Sequence, residues 1–272
     1  MSAPEPGASK PGALDEVVAQ VRAASKSRDI LPALIERLAA RELSAGIAPR
    51  EAVKRVKRQL HQSGGAYFAG KPAYARWLKA LEAADSDARQ AELKRQFTIH
   101  RSMAERAGSL ESYYAGLFAG IDAPSCVLDV ACGLNPLGRP WMPVQPERYR
   151  ACDIYLDMLD FVARASVLSG YGVETFAHDL AAGAPDEDGA DVVLALKTLP
   201  CLDQIEPGAG ARLVAGLTAR HIIVTYPLLS LGGREKGMDA HYRRSFEAVA
   251  HASGRQVSEL SLPGELGFRL SR

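Results

Sequence analysis

Three aspartates close successive short apolar runs between residues 126 and 179 of this 272-residue chain. Asp129 follows Cys126-Val127-Leu128, Asp153 follows Tyr149 to Cys152, and Asp179 stands one histidine beyond Val173 to Ala177. Asp153 lies 24 residues after Asp129, and an acidic residue at the end of a second strand is where doubly wound folds hold a ribose. A carboxylate one strand further on can accept from an adenine amino group. After the first run, the turn Ala131-Cys132-Gly133 is built of small residues, which lets a ligand approach the backbone closely. A strict GxGxxG is absent and there is no P-loop lysine, so phosphate binding is disfavoured. The chemistry indicated is that of holding a nucleoside by its sugar and its base.

Lys197 ends a fourth apolar run, Val192 to Leu196. There it can donate a hydrogen bond to a substrate oxygen or phosphate, or reach solvent. Cys201 has no histidine neighbour in sequence to activate its thiol, so it reads as packing rather than as a nucleophile. The four cysteines form no CxxC pair, which argues against a zinc site or a disulfide framework and for thiols in a reducing cytosol. A different chemistry lies upstream. Lys54, Arg55, Lys57 and Arg58 crowd into five residues, with Arg50 one turn earlier and Glu51 among them. Up to residue 105 there are 18 Lys and Arg against 12 Asp and Glu, and beyond it 15 against 20. The net charge of +1 therefore conceals a basic first part suited to a polyanion. A second basic stretch holds Arg234, Lys236, Arg243 and Arg244, with Tyr242 placed either to stack or to fill the core.

The elements that must position these residues fall into two rhythms. From Leu14 to about residue 119 the spacing is helical: Leu14, Val17, Val18 and Val21; a helix from Pro32 to Leu43; another opened by Pro49; then Tyr74, Trp77, Leu78 and Leu81; and Leu110, Tyr113, Tyr114 and Leu117. After Pro124 short apolar runs alternate with helical stretches over 157–169, 203–217 and 238–252, the pattern of a parallel sheet covered by helices. Two alternating runs, Gln256 to Leu262 and Glu265 to Leu270, are split by Pro263-Gly264 and predict a terminal hairpin with an antiparallel edge. Such a hairpin separates the methyltransferase variant of the doubly wound fold from the dehydrogenase variant. The expected organisation is a disordered tail over 1–13, a helical RNA-binding subdomain over 14–105, and a Rossmann-like class I α/β methyltransferase domain over 106–272. No apolar run approaches the ~18 residues of a membrane span, and nothing resembles a signal peptide, so a cytoplasmic protein is expected.

Three blocks carry a closer resemblance: Asp129 to Leu137 (DVACGLNPL), Leu196 to Leu202 (LKTLPCL) and Ser230 to Met238 (SLGGREKGM). With Val53 to Leu60 and Glu105-Arg106, they resemble the aminoglycoside-resistance methyltransferases that act on 16S ribosomal RNA, of the Arm, Rmt and Sgm type. The resemblance covers most of the chain after about residue 14. It implies S-adenosylmethionine as cofactor, the 30S subunit as partner, N7 of guanine 1405 as target, and protection from aminoglycosides with a 4,6-disubstituted deoxystreptamine. It further implies that Arg106 holds the methionine carboxylate, that Gly133 lies against the cofactor, that Asp153 binds ribose and that Asp179 with Leu180 binds adenine. Asp129, Ala131 and Ile154 complete the expected cofactor set. Lys197 and Arg234 are the expected catalytic pair, and Arg50, Lys54, Arg55, Lys57, Arg58, Arg234 and Lys236 the RNA contacts. Where relatives read Ser-Thr-Arg-Glu-Arg, this chain has Ser102-Met103-Ala104-Glu105-Arg106, one arginine fewer. A monomer is expected. Rival readings are a small-molecule methyltransferase, a non-enzymatic RNA-binding protein, and an enzyme for adenine N1 at the neighbouring decoding-site position.

Overall fold

The computed structural model describes residues 12–228 and 238–272. Seven strands form one sheet: β1 (Cys126–Val130), β2 (Arg148–Asp153), β3 (Glu174–Ala177), β4 (Val192–Leu196), β5 (His221–Pro227), β6 (Gln256–Leu262) and β7 (Glu265–Ser271). Their order is β3-β2-β1-β4-β5-β7-β6. The first five are parallel, while β7 pairs antiparallel with both β5 and β6. Every residue of β1 and β4 is buried, as expected for strands covered on both faces. The direction of winding reverses between β1 and β4. In such sheets the crevice outside the carboxyl ends of those two strands is the ligand site.

Helices cover both faces. On one side α1 (Ala13–Arg22), α2 (Pro32–Ser44), α3 (Pro49–Ser63), α9 (Thr198–Ile205), α10 (Ala209–Gly216) and α11 (Met238–Ser253) pack against Leu128, Val130, Val193 and Ala195. On the other side α4 (Tyr74–Ala83), α5 (Ser86–Phe97), α6 (Arg101–Arg106), α7 (Leu110–Leu117) and α8 (Leu156–Leu168) meet Val127, Val192 and Leu194. Neighbouring strand residues thus serve opposite cores, which is the period of two in its simplest form. The helical segment 14–105 is divided between the two faces, and the boundary expected at 105/106 falls in the last turn of α6.

The local reasons are legible. Pro32 and Pro49 open α2 and α3, where a missing N–H costs nothing. Asp85 caps α5 by accepting from the Ala88 N–H at 2.9 Å. The single helix expected over 203–217 is two, because Pro207 has no N–H to donate and Gly208 turns with φ +79°. The second of these, α10, follows directly, while α9 begins earlier than expected, immediately after Lys197.

Two links tie the N-terminal helices to the crevice. The Leu31 N–H donates to the Ile154 carbonyl at 2.8 Å, and the Leu156 N–H to the Asp29 carbonyl at 2.7 Å. From α2 and α3, Arg41 and Gln59 both donate to the Ile205 carbonyl at the end of α9, at 3.1 and 2.6 Å.

Candidate functional site

The crevice at the β1–β4 switch opens into a cleft lined, among others, by Tyr67, His100, Arg106, Ala131, Asn135, Asp153, Asp179 and Lys197. Its floor is the turn after β1. Ala131 and Gly133 both take left-handed backbone, with φ of +51° and +53°. A Cβ on Gly133 would lie 2.7 Å from His100 Cε1, so here glycine is required by both conformation and space. His100 sits between Tyr67 and Phe68, and its Nδ1 pairs with the Ser102 hydroxyl at 2.9 Å. Burial, helped by Arg106 and Lys197, pushes the imidazole down to about 3, so it is neutral at pH 7.

Asp153 ends β2. Its carboxylate accepts from the Gly133 N–H at 3.0 Å and the Ile154 N–H at 2.7 Å, which locks it to the turn. Burial raises its pKa against the pull of these backbone donors. Ile154 lines the cleft beside it. Asp179, beyond β3, is gripped by Arg37 of α2 through Nε at 2.7 Å and Nη2 at 3.1 Å, while Arg37 Nη1 reaches Glu206 at 3.1 Å. Leu180 lines the cleft next to it. Asp129 is placed differently from the other two. It lies beneath the turn, 1 % exposed, and its Oδ2 accepts from Asn135 Nδ2 at 2.8 Å and the Tyr149 hydroxyl at 2.9 Å. Its Oδ1 has no partner among the described residues. Burial pushes this carboxyl up to about 7. Its connection to the cleft runs through Asn135.

Arg106, the last residue of α6, is 2 % exposed. Its Nε and Nη2 donate to the two oxygens of Glu265 at 2.7 and 3.0 Å, and Nη1 donates to Asn135 Oδ1 at 3.1 Å. The guanidinium lies over the Tyr113 ring. Arg106 and Lys197 outweigh the cost of burying Glu265 and hold its carboxyl down at about 2. Lys197 caps α9 in left-handed backbone, φ +59°. Its Nζ lies 2.5 Å from Glu105 Oε2 and 3.1 Å from Glu265 Oε1. Cys201 contacts the Tyr67 hydroxyl at 3.3 Å, and burial pushes its thiol up to about 11, the behaviour of a packing residue.

On α3 the basic residues divide. Ala52, Val53, Val56 and Leu60 face the core. Lys54 pairs with Glu51, and Arg55 with Glu51 and with Glu42 of α2. Arg50, Lys57 and Arg58 have no ion-pair partner among the described residues. Arg243 is taken by Asp239 and Glu259, and Tyr242 stacks on Tyr226 with ring centroids 4.9 Å apart. Arg234 and Lys236 lie outside the described residues. Several cleft residues were not anticipated: Tyr67, Phe68, His100, Tyr155, Asn135, and Glu265 behind them. Asn135 stood inside the turn block, and Tyr67-Phe68 behind Gly64-Gly65, so both had a local cue. Glu265 had none, being 159 residues from Arg106.

A parallel sheet ending in an antiparallel hairpin, with a carboxylate-held turn at the switch point, defines a Rossmann-like methyltransferase. Comparison with known proteins narrows the class. A family model described as "Ribosomal RNA methyltransferase (FmrO)" matches residues 22–267. A 16S rRNA (guanine(1405)-N(7))-methyltransferase of Frankia casuarinae is 38 % identical over 276 residues, spanning 98 % of this chain and 96 % of that protein. One of Micromonospora echinospora is 36 % identical, spanning 95 % and 97 %. The crystal structure of the 16S rRNA methyltransferase RmtF with S-adenosyl-L-homocysteine superposes with TM-score 0.81 at 28 % identity, over 97 % of this chain and 99 % of that one. The chain belongs to the ribosomal RNA methyltransferase (FmrO) family.

Proposed function

We propose that this protein transfers a methyl group from S-adenosylmethionine to N7 of guanine 1405 in 16S rRNA, acting as a cytoplasmic monomer on the 30S subunit, and that it thereby confers aminoglycoside resistance. The observation that carries the reading is the pairing of charges at the cleft: Arg106 with Glu265, and Lys197 with Glu105 and Glu265. Each carboxylate here is balanced by a cation, and burial holds His100 down at about 3, so among the described residues no dedicated general base stands at the site. Guanine N7 suits such a site because it attacks through a free lone pair with no proton to remove, so catalysis reduces to positioning and electrostatics.

The residues present fit the cofactor. Arg106 uses three of its five N–H donors on Glu265 and Asn135, which leaves donors for a carboxylate. Asp153 spends part of its acceptor capacity on backbone N–H groups and keeps the rest for ribose hydroxyls. Ile154, Leu180, Leu202 and Ile205 supply an apolar wall for a purine, with Asp179 at its edge. When bound, S-adenosylmethionine supplies a methyl group made electrophilic by the sulfonium. The protein holds its carboxylate and sugar, shields the cleft with Tyr67, Phe68 and Tyr155, and offers Lys197 to the guanine. Arg234 and Lys236 would join the substrate side, and the α3 cations would hold phosphates while the base is drawn from its stack, an unstacking that costs a few kcal/mol.

Expression in a susceptible bacterium tests the proposal. High resistance to 4,6-disubstituted deoxystreptamine aminoglycosides is expected, and it should vanish in Asp153→Ala. Unchanged susceptibility at verified expression would contradict the reading.

A further inference from the structure

Lys197 is 3 % exposed and lines the cleft, yet one of its two carboxylate partners lies at the surface. Glu265 is 2 % exposed, and its oxygens are taken by Arg106, Tyr113 and Lys197. The Glu105 side chain is 39 % exposed on the short helix α6. Its Oε2 faces Lys197 Nζ at 2.5 Å and its Oε1 accepts from Arg101 Nε at 3.2 Å. A carboxylate offers about four lone-pair sites, so Glu105 retains capacity that Glu265 lacks. Lys197 likewise has three N–H donors and spends two on these carboxylates. Beside the cleft, Lys197 and Glu105 therefore present a spare donor next to spare acceptor capacity.

We propose that Glu105 is a base-contacting, specificity-determining residue, its carboxylate accepting the N1–H of the target guanine while Lys197 donates to O6. This inference rests on the guanine-N7 reading above. O6 and N1–H are adjacent acceptor and donor on guanine, and a Lys–Glu pair 2.5 Å apart presents the complementary donor and acceptor side by side. O6 lies between N1 and N7, so a base held with N1 toward Glu105 turns N7 away from that carboxylate and into the cleft. Adenine mismatches the pair at both points: its N6 amino group would face the ammonium, and its N1 lone pair would face the carboxylate. The carboxylate has a second effect on the reaction. Attack by the N7 lone pair forms the new C–N bond, the electrons of the broken C–S bond stay with sulfur, and the base becomes a cation. No proton leaves. A fixed negative charge at the far edge of the ring then stabilises the charge that develops.

The test is a double-mutant cycle on the full-length protein, read as single-turnover methyl transfer to 30S subunits, with S-adenosylhomocysteine affinity measured for each variant. Glu105→Gln is expected to slow transfer at saturating 30S by about tenfold or more, the loss of one charge-assisted hydrogen bond, with S-adenosylhomocysteine affinity unchanged. The double variant with Lys197→Ala should be slower than Lys197→Ala alone. If the two are equal, Glu105 acts only by holding Lys197 and the proposal is overturned. A wild-type rate for Glu105→Gln, or an equal fall in S-adenosylhomocysteine affinity, overturns it as well. Absence of methylation at guanine 1405 by the wild-type protein would instead remove the function on which the inference rests.

Discussion

Replacing Glu265 by glutamine should expose how much the buried charge cluster contributes. Its side chain is 2 % exposed and bridges Arg106 and Lys197, which are equally buried. Its pKa is held at about 2 against an ordinary 4.5, which at 1.36 kcal/mol per pH unit corresponds to about 3 kcal/mol. Removal of one partner from a buried ion pair independently gives ~3–5 kcal/mol, so the two routes agree. The sign follows from the depressed pKa. The stabilisation is present above pH 4.5, where the unfolded chain would also be ionised, and is lost as pH falls from there through about 2. Urea unfolding should therefore show a gap of about 3 kcal/mol between wild type and Glu265→Gln at pH 7, closing across that acid window. A gap below ~1 kcal/mol at pH 7, or one that persists unchanged into the acid limit, would refute the assignment of Glu265 as the shared counter-ion.

Three further outcomes are expected. Gly133→Ala, forced into φ +53° and against His100, should lose about 2–4 kcal/mol and with it S-adenosylhomocysteine affinity; an unchanged melting temperature would contradict the turn geometry. Asp129, whose folded pKa of about 7 exceeds its ordinary 3.8, makes stability decline as pH rises between those values; Asp129→Asn should remove that slope from unfolding curves, and a slope that survives would place its origin elsewhere. On α3, neutralising Lys57 and Arg58 should weaken 30S binding and flatten its salt dependence more than neutralising Lys54 and Arg55, which Glu51 and Glu42 already balance. Equal effects from the two pairs would show that those acids move aside.

What could be read before the structure was what local pattern controls. The apolar runs ending in Asp129, Asp153 and Asp179 predict strands and place their ends at one edge, because a strand's burial leaves a period or a run in the sequence. The terminal hairpin was equally legible from Pro263-Gly264 between two alternating runs. The helix break at Pro207-Gly208 carried its own cue, and the continuous helix expected there overlooked it. The pairings that give the site its electrostatics left no such trace. Arg37 is 142 residues from Asp179, and Lys197 is 92 from Glu105. A contact of that kind is made by the way helices lie across a sheet, so no spacing rule encodes it. The same holds for Asp129: its position at a strand end is visible, but burial beneath the turn, with Asn135 and Tyr149 as partners, depends on packing from α7 and β2. The charge run on α3 was plain, whereas its partial neutralisation needed Glu42 from the neighbouring helix.

The central claim is tested most directly by incubating the protein with labelled S-adenosylmethionine and purified bacterial 30S subunits, then mapping the mark by borohydride–aniline cleavage and primer extension. A strong stop reporting 7-methylguanine at position 1405 is the predicted result. Cofactor binding without label in the particle, or a mark at any other nucleotide, would contradict it.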